Sequence, residues 1–200
     1  MEQIEALNRA LFLKINAGLG TSSWLINSVI FIAEDLIYLI PMLLLVLWFW
    51  GDKDKRRLAL KVCMVVMLAL GINQGIGLLW PHPRPFMVGL GQNWLAHAAT
   101  SSFPSNHMTV FASVGLSLLS SVEIGLAVVI LVSGLCVAWS RVYLGVHFPL
   151  DMLGAVGVSA FAYLMIMLVW GKIGNTITYC AECLYRLVMA QPIARGWMRR

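Results

Sequence analysis

The sequence predicts an all-α integral membrane protein: a polytopic helical bundle of about five to six transmembrane helices plus an N-terminal amphipathic interfacial helix. Of its 200 residues, 60% are hydrophobic and only 12% are charged, whereas soluble domains carry roughly 25% charged residues. The apolar residues fall in stretches of about 20, the length that crosses a bilayer as a helix, and shorter polar segments separate them. Mean hydropathy is accordingly high, at +0.83. This composition excludes a soluble globular domain and argues against nucleic-acid binding.

The first 20 residues predict an amphipathic helix that lies along the membrane surface. Apolar side chains recur at helical spacing, and polar or charged side chains occupy the opposite face. The apolar positions are Ile4, Leu7, Leu11 and Ile15.

Five apolar stretches follow and predict five membrane spans. They are residues 24–50, 58–80, 107–120, 124–139 and 149–170. The charged segment 51–57 is expected to be an aqueous loop, and residues 81–106 a long polar loop. Residues 172–200 form a basic tail in which we expect another interfacial helix. Residues 1–200 are therefore interpreted as one membrane-embedded domain, with a motif-bearing core at 58–170.

The distribution of basic residues predicts the orientation of the bundle. With five spans, ten of the fourteen lysines and arginines fall on one side, which should be cytoplasmic because cytoplasmic loops carry an excess of basic residues. These are Lys53, Lys55, Arg56, Arg57, Lys61, Lys172, Arg186, Arg195, Arg199 and Arg200. All four histidines fall on the other side. We therefore expect a histidine-rich, charge-poor chamber that faces outward from the cytoplasm.

His147 and Asp151 form the first candidate catalytic pair. They are four positions apart, and Pro149 between them suits the first turn of a helix, so both side chains can share one face at the start of the last span. A carboxylate there can hold one imidazole nitrogen as N–H and leave the other free to attack. We therefore predict that Asp151 orients His147 and that His147 is a nucleophile.

Two arginines are candidate phosphate ligands on the same side. Arg141 precedes His147 by six residues, and a guanidinium can bind phosphate oxygens as a bidentate fork. Arg84 precedes Pro85, which favours an extended backbone at Arg84, and offers a second fork.

The segment from Pro104 to His107 predicts a phosphate cradle. The chain turns there into the third span, so Ser105 can act as the N-cap, and the free backbone N–H groups from Asn106 onward can point at a bound anion. His107, one turn into the helix, is then placed to protonate a leaving oxygen as a general acid.

Each of these residues taken singly is more often an interface anchor or a snorkelling side chain. The combination is more specific, because at average residue usage R-x5-H-x3-D or P-S-x-H should each occur by chance on the order of one time in a hundred in a chain of this length. Their joint occurrence on one membrane face therefore predicts a functional site.

Two other histidines and two carboxylates are less easily assigned. His82 and His97 lack such neighbours and are expected to play a polar-loop role, with His82, close to Arg84, as a candidate substrate contact. Glu34 and Asp35 interrupt the first span, where carboxylates are costly to bury. Either they lie at the mouth of the chamber and contact substrate, or they are a structural ion pair or a protonated carboxyl that faces other helices.

The four cysteines do not predict a disulfide framework. Cys63 and Cys136 lie inside apolar runs, and Cys180 and Cys183 are interpreted as two thiols one helical turn apart rather than as a redox or metal motif. No metal and no cofactor are expected.

With these motifs the chain resembles the type 2 phosphatidic acid phosphatase superfamily, whose signature is K-x6-R-P, P-S-G-H and S-R-x5-H-x3-D. The resemblance extends from about residue 58 to residue 170. The third motif is complete, as Ser140, Arg141, His147 and Asp151. The second motif has Asn106 where glycine is usual, and the first keeps Arg84 and Pro85 but has Gly77 in place of the lysine. Within the superfamily the chain is most similar to the bacterial undecaprenyl-diphosphate phosphatases of the bacitracin-resistance type.

The resemblance implies a phosphatase that recycles a lipid carrier for cell-wall synthesis. It implies a phosphohistidine at His147, protonation of the leaving group by His107, and phosphoryl binding by Arg84, Arg141 and Ser105, without a metal. The expected substrate is a polyprenyl diphosphate in the membrane.

Rival interpretations of the sequence are a broader lipid phosphatase acting on phosphatidylglycerophosphate or phosphatidate, a lipid-A phosphotransferase, and, from another class, a proton-coupled carrier. A carrier needs polar residues near the membrane midplane in several spans, and the second, third and fifth predicted spans supply almost none.

Overall fold

A computed structural model describes residues 2–121 and 123–198 of the chain, and these residues form helices and connecting loops. The eight helices in this part are α1 (Glu2–Ile15), α2 (Ser23–Asp35), α3 (Leu39–Phe49), α4 (Lys53–Leu79), α5 (Asn106–Leu119), α6 (Ile124–Tyr143), α7 (Pro149–Val188) and α8 (Ala190–Ala194). Short 3-10 helices occur at Leu36–Tyr38 and Pro85–Val88. Two of the predicted cytoplasmic basic residues, Arg199 and Arg200, lie outside the described residues.

The predicted all-α membrane bundle is confirmed. Four helical stretches of the described chain are long and apolar enough to cross a membrane: Ser23–Phe49, which joins α2 and α3 through a 3-10 turn, and α4, α6 and α7. The third predicted span is α5, which has only 14 residues. At 1.5 Å per residue α5 is about 21 Å long, shorter than the ~30 Å hydrocarbon layer.

Helix α5 lies at the centre of the bundle, packed against α4, α6 and α7. Phe111, Val114 and Leu118, one face of α5, are fully buried in the main apolar cluster. Gly134 of α6 faces the Phe111 side chain so closely that a Cβ there would have to displace it. Because α5 packs closely against its neighbours and is short, its first residues begin inside the bundle, below the level reached by the longer helices.

Helix α1 packs across the end of the bundle where α7 begins. Phe12 is fully buried and its ring contacts that of Phe148, with centroids 5.4 Å apart. Asn8 is also buried, and its Oδ1 accepts a hydrogen bond of 3.1 Å from the backbone N–H of Leu150, which is in the first turn of α7. The predicted apolar positions Ile4, Leu7 and Leu11 remain exposed on the outer face of α1. An exposed apolar face is what a helix at a membrane interface requires.

At the opposite end of the bundle, the structure differs from two predictions made from the sequence. The segment 51–57 is not an aqueous loop throughout, because α4 already begins at Lys53, where Asp52 Oδ1 accepts a hydrogen bond of 3.0 Å from Lys55 N. Arg56 is only 2% exposed, and its guanidinium lies 3.7 Å from Glu182 Oε1. Sequence alone suggested water here because six of these seven residues are charged. A partner on a distant helix is what allows Arg56 to be buried.

Residues 172–188 do not form a separate interfacial helix either, because they continue α7, and only the five-residue α8 follows them in the described chain. Helix α7 runs without a break for 40 residues, from Pro149 to Val188. At 1.5 Å per residue that is about 60 Å, twice the hydrocarbon thickness. The second half of α7 therefore extends beyond the membrane. It does so at the end of the bundle where Glu182 contacts Arg56 and where most of the basic residues lie, which is called the basic end below.

At the basic end, side-chain contacts join the start of α4 to the turn between α5 and α6. Lys61 Nζ donates to Ser120 Oγ at 2.8 Å, and Lys55 lies 3.9 Å from Glu123, so the start of α4 and the α5–α6 turn come together. Asn73, 12 residues further along α4, contacts Asn106 at the first turn of α5. The first turn of α5, where the motif-bearing loop ends, therefore lies about 18 Å from Lys61 along the axis of α4.

Candidate active site

A cavity of about 480 Å³ lies above the first turn of α5, at the end of the bundle opposite the basic one. Five parts of the fold line it: the end of α4, the loop between α4 and α5, the start of α5, the end of α6, and His147. The polar lining residues are Asn73, Gln74, Arg84, His97, Thr100, Ser101, Asn106, His107, Arg141 and His147.

His147 and Asp151 are in contact, as the i to i+4 spacing predicts. His147 Nδ1 lies 3.1 Å from Asp151 Oδ2. The same oxygen accepts a hydrogen bond of 2.8 Å from Phe148 N and another from the hydroxyl of Ser102. Pro149 is the first residue of α7, so the helix begins between the two side chains. Asp151 is therefore fixed by three donors, and its carboxylate fixes the imidazole in turn.

The surroundings of His147 keep its ring neutral. The side chain is 3% exposed, and burial lowers its pKa to about 4, although the bond to Asp151 raises it. At pH 7 the ring therefore carries one proton, which the carboxylate holds on Nδ1. Nε2 is left with a lone pair, which is the form a nucleophilic imidazole needs.

Arg84 is held by the backbone around the site. Its Nε donates to Thr100 O at 3.1 Å, and its Nη2 donates to Ser101 O at 3.1 Å and to Thr100 Oγ1 at 3.3 Å. Its Nη1 donates to Val146 O at 2.9 Å and lies 3.1 Å from His147 Nε2. All five N–H groups of the guanidinium thus have protein acceptors. Burial lowers the pKa of Arg84 to about 10, which still leaves it charged at pH 7.

Arg141 differs from Arg84 in having unengaged donors. It is 2% exposed, and its Nη1 lies at the long distance of 3.5 Å from the carbonyl oxygen of Ala33. Its Nε is buried and has no hydrogen-bond partner among the described residues. An unsatisfied buried donor is costly unless a ligand completes it. Arg141 is therefore the guanidinium most ready to take an anion.

Two of the three residues predicted to form the phosphate cradle reach the cavity, and the third does not. His107 and Asn106 line the cavity, and Asn106 Oδ1 accepts a hydrogen bond of 2.9 Å from Asn73 Nδ2. Ser105 occupies the N-cap position of α5, but its side chain makes no capping bond, and it is not among the residues that line the cavity. Its backbone N–H donates to Asp151 O at 3.2 Å, which ties the start of α5 to the start of α7.

The structure brings two residues to the site that the sequence analysis did not place there. Ser102 donates to Asp151, and its Oγ lies 3.4 Å from His147 Nδ1. His97, for which a polar-loop role was expected, instead lines the cavity, with its ring centroid 6.4 Å from that of His147. Both lie in the long loop after α4, whose path across the site has no periodicity that a sequence could reveal.

The remaining candidates lie outside the cavity. His82 lines a separate groove beside α1, where its ring contacts Trp80. Glu34 and Asp35 are exposed at the end of α2, just before the 3-10 turn. Neither forms an ion pair within the described chain. Of the two interpretations, the structure thus disfavours a buried ion pair.

The charged groups of the cavity suit an anion. In residues 2–121 and 123–198, no group of three or more His, Cys, Asp or Glu side chains is arranged to hold a metal ion. The cationic groups are the guanidiniums of Arg84 and Arg141, and the planar fork of a guanidinium matches the oxygens of a phosphate. The arrangement can therefore place a phosphate group next to the free nitrogen of a neutral imidazole.

Known proteins with similar sequences support this interpretation. Residues 58–175 match the family described as the PAP2 superfamily. YbjG of Escherichia coli (strain K12), which carries a provisional assignment as an undecaprenyl-diphosphatase, is 40% identical over 196 residues, covering 98% of this chain and 99% of its own. The undecaprenyl-diphosphatase BcrC of Bacillus subtilis (strain 168) is 32% identical over 154 residues, covering 76% of this chain and 79% of its own.

A solved structure shows the same fold. The transmembrane PAP2-type phosphatidylglycerolphosphate phosphatase of Bacillus subtilis superposes with a TM-score of 0.63 at 21% sequence identity. The superposition covers 86% of this chain and 89% of that one. The helical arrangement described above is thus shared with a membrane protein of known structure.

Proposed function

The chain is a multi-pass membrane phosphatase of the PAP2 superfamily, and we propose that it hydrolyses undecaprenyl diphosphate to undecaprenyl phosphate and inorganic phosphate. The observation that carries this proposal is the neutral imidazole of His147, whose Nε2 borders a cavity that also contains Arg84 and Arg141. The choice of lipid follows from the two relatives, both of which are named for this reaction.

In the first step, His147 Nε2 attacks the terminal phosphorus and the bond from phosphorus to the bridging oxygen breaks. Asp151 stabilises the positive charge that the ring acquires, through the 3.1 Å contact to Nδ1. The free donors of Arg141 bind the phosphoryl oxygens. The Nη1 hydrogen of Arg84 that points at the Nε2 lone pair turns to a phosphoryl oxygen once that lone pair forms the N–P bond.

His107, which acts in its protonated imidazolium form, then gives one proton to the bridging oxygen and becomes neutral, so the lipid leaves as undecaprenyl phosphate. In the second step, water attacks the phosphohistidine, the N–P bond breaks, and its electron pair returns to Nε2. The proton that water loses goes to His107, which restores the starting state. Asn106, in the first turn of α5, is proposed to orient the phosphate through its backbone N–H, while the N–H of Ser105 stays bonded to Asp151 O and holds the start of α5 in place.

The depth of the cavity suits a substrate whose chain stays in the membrane. Helix α5 is about 9 Å shorter than the hydrocarbon layer, and the cavity occupies the space above its first turn. Leu78, at the edge of the cavity, is 82% exposed on the surface of α4. A polyprenyl chain can lie against such a surface while its diphosphate reaches His147.

The orientation is also part of the proposal. The lysines and arginines around the start of α4 and the second half of α7 mark one end of the bundle, and this end is assigned to the cytoplasm. The cavity is at the other end. The enzyme would then act at the outer face of a bacterial cytoplasmic membrane, where it returns the lipid carrier of cell-wall synthesis to its monophosphate form.

The proposal is tested by measuring phosphate release from undecaprenyl diphosphate, phosphatidylglycerophosphate and phosphatidate with one detergent-purified preparation. We expect undecaprenyl diphosphate to have the highest kcat/KM. We also expect His147→Ala to release no phosphate from it, while the variant keeps the thermal unfolding midpoint of a folded protein. A preference for either glycerolipid would show the broader lipid phosphatase instead. Substantial turnover by the folded His147→Ala protein would remove His147 as the nucleophile.

A further inference from the structure

The cavity has fewer cations than its proposed ligand requires. Gly77 stands where the first family motif has a lysine, and it lines the cavity without offering any charge. Of the two guanidiniums, that of Arg84 already directs all its N–H groups at protein acceptors. A phosphate monoester carries about −1.5 to −2 charges at pH 7, and the second phosphate of a diphosphate adds to this. A further cation is needed once the substrate is bound.

We propose that His97 takes the place of the missing lysine and binds the diphosphate as an imidazolium, which forms when the anion enters the cavity. This inference rests on the proposed function and names a phosphate-binding residue outside the three sequence motifs.

The geometry of His97 determines which nitrogen faces the ligand. Its Nδ1 lies 3.0 Å from the carbonyl oxygen of Ala98. A carbonyl oxygen can only accept, so Nδ1 carries the proton in the neutral ring and Nε2 has the lone pair. Uptake of a second proton therefore occurs on Nε2, which then becomes a charged donor. The ring stands edge-to-face to that of His147, with their centroids 6.4 Å apart, so this donor is in the same cavity as the nucleophile.

The charges around His97 make its second protonation depend on whether an anion is bound. The charged and titratable groups that act on His97 or share its cavity are Arg84 in the same loop, Arg141 on α6, His107 on α5, His147 before α7, and Glu34 at the end of α2. In the empty cavity burial lowers the pKa of His97, and the two guanidiniums lower it further, while the contact with Ala98 and the charge of Glu34 raise it. A bound anion offsets the repulsion by the guanidiniums and raises this pKa.

The sign of the pH dependence follows. Between the pKa of His97 in the empty cavity and its pKa in the complex, binding takes up one proton. As pH rises through this interval, the proton becomes harder to take up and binding becomes weaker, and above the pKa of the complex the imidazolium is lost. A lysine at the same position would stay charged across the interval, and a glutamine would never be charged.

The test compares His97→Gln and His97→Lys with the wild-type chain, using undecaprenyl diphosphate across the neutral pH range. We expect His97→Gln to raise KM by about tenfold at neutral pH, because the charged donor to the diphosphate is lost. We expect kcat to change less than KM. The wild-type increase of KM with pH should be smaller in His97→Gln, since the proton on His97 no longer contributes to binding. His97→Lys should restore the low KM with the same reduced pH dependence.

Two results would overturn the inference. One is a His97→Gln variant with the KM and pH profile of the wild type. The other is a high KM in both variants, which would mean that the shape of the imidazole matters and its charge does not.

A binding measurement keeps the inference testable if His97→Gln fails to fold. Titration of the wild-type chain and of His97→Lys with inorganic phosphate, in buffers of different ionisation enthalpy, gives the protons taken up on binding. We expect greater uptake by the wild type, and equal uptake would refute the inference. This readout does not need turnover, so it separates failure of the His97 assignment from failure of the proposed function, in which the wild type would release no phosphate from the lipid.

Discussion

At the scale of single residues, the Asp151 carboxylate organises the site. One of its oxygens accepts from Ser102, Phe148 and His147, which belong to the long loop after α4 and to the turn before α7. This oxygen therefore sets the tautomer of the imidazole and joins two segments of the chain. The motif spacing predicted only its contact with His147.

Asp151→Asn tests the electrostatic part of this role. An amide oxygen can keep the three hydrogen bonds, but it lacks the charge that stabilises the ring when the N–P bond forms. We expect kcat to fall by about 100-fold, with KM little changed, because a charge-assisted hydrogen bond contributes roughly 1.5–3 kcal/mol. The matched variant Ser102→Ala removes one donor and leaves the charge, so its kcat should fall by about tenfold or less. Equal kcat values for Asp151→Asn and the wild type would refute this role.

At the scale of helices, the unequal lengths of α5 and α7 position the site and carry the end of α7 beyond the hydrocarbon layer. Helix α5 is too short to fill the hydrocarbon layer, and the cavity takes the remaining depth. Helix α7 is twice as long as that layer is thick, so its second half leaves the membrane at the basic end. Cys180, 31 residues along α7 from Pro149, is about 46 Å from the start of the helix.

The length of α7 makes its two exposed cysteines reporters of orientation. In a variant with Cys63 and Cys136 replaced by serine, a membrane-impermeant thiol reagent should label Cys180 and Cys183 in inside-out vesicles and not in intact spheroplasts, because both thiols are exposed and the proposed orientation places them in the cytoplasm.

The matched control for this labelling is a cysteine at the other end of the bundle. Gln92 is exposed in the loop after α4, and the hydrogen bonds at this position are made by its backbone. Gln92→Cys in a background without the four native cysteines should label in intact spheroplasts. Labelling of Cys180 in intact spheroplasts would contradict the proposed orientation.

At the scale of the whole molecule, the sequence predicted the spans better than their ends. Apolar stretches must be helical in a membrane, because backbone groups have no other partners there, and each predicted span corresponds to a helical stretch. The ends depend on tertiary contacts. The sequence alone places Arg56 in a loop, because its partner Glu182 lies 126 residues later in the chain. The same contact helps to hold the part of α7 that continues past residue 172.

The site was predictable where spacing along a helix reveals contact, and not elsewhere. His147 and Asp151 are four residues apart at a helix start, so their contact follows from local geometry. Ser102 and His97 reach the site through a long loop in which spacing carries no such information. The difference between Arg84, whose donors are all bonded, and Arg141, whose Nε has no partner among the described residues, was not predictable from the sequence either. The carbonyl groups that bond Arg84 come near it only in the folded chain.

The central claim is that phosphate passes through His147, and the most direct measurement is to trap the intermediate. Undecaprenyl diphosphate labelled in its terminal phosphate is mixed with the purified chain, the reaction is quenched in alkali within one turnover, and the protein is digested. We expect the label as an acid-labile, alkali-stable phosphoramidate on the peptide that contains His147, and no label in His147→Ala. Turnover without a labelled His147 peptide, or label that persists in His147→Ala, would contradict the account.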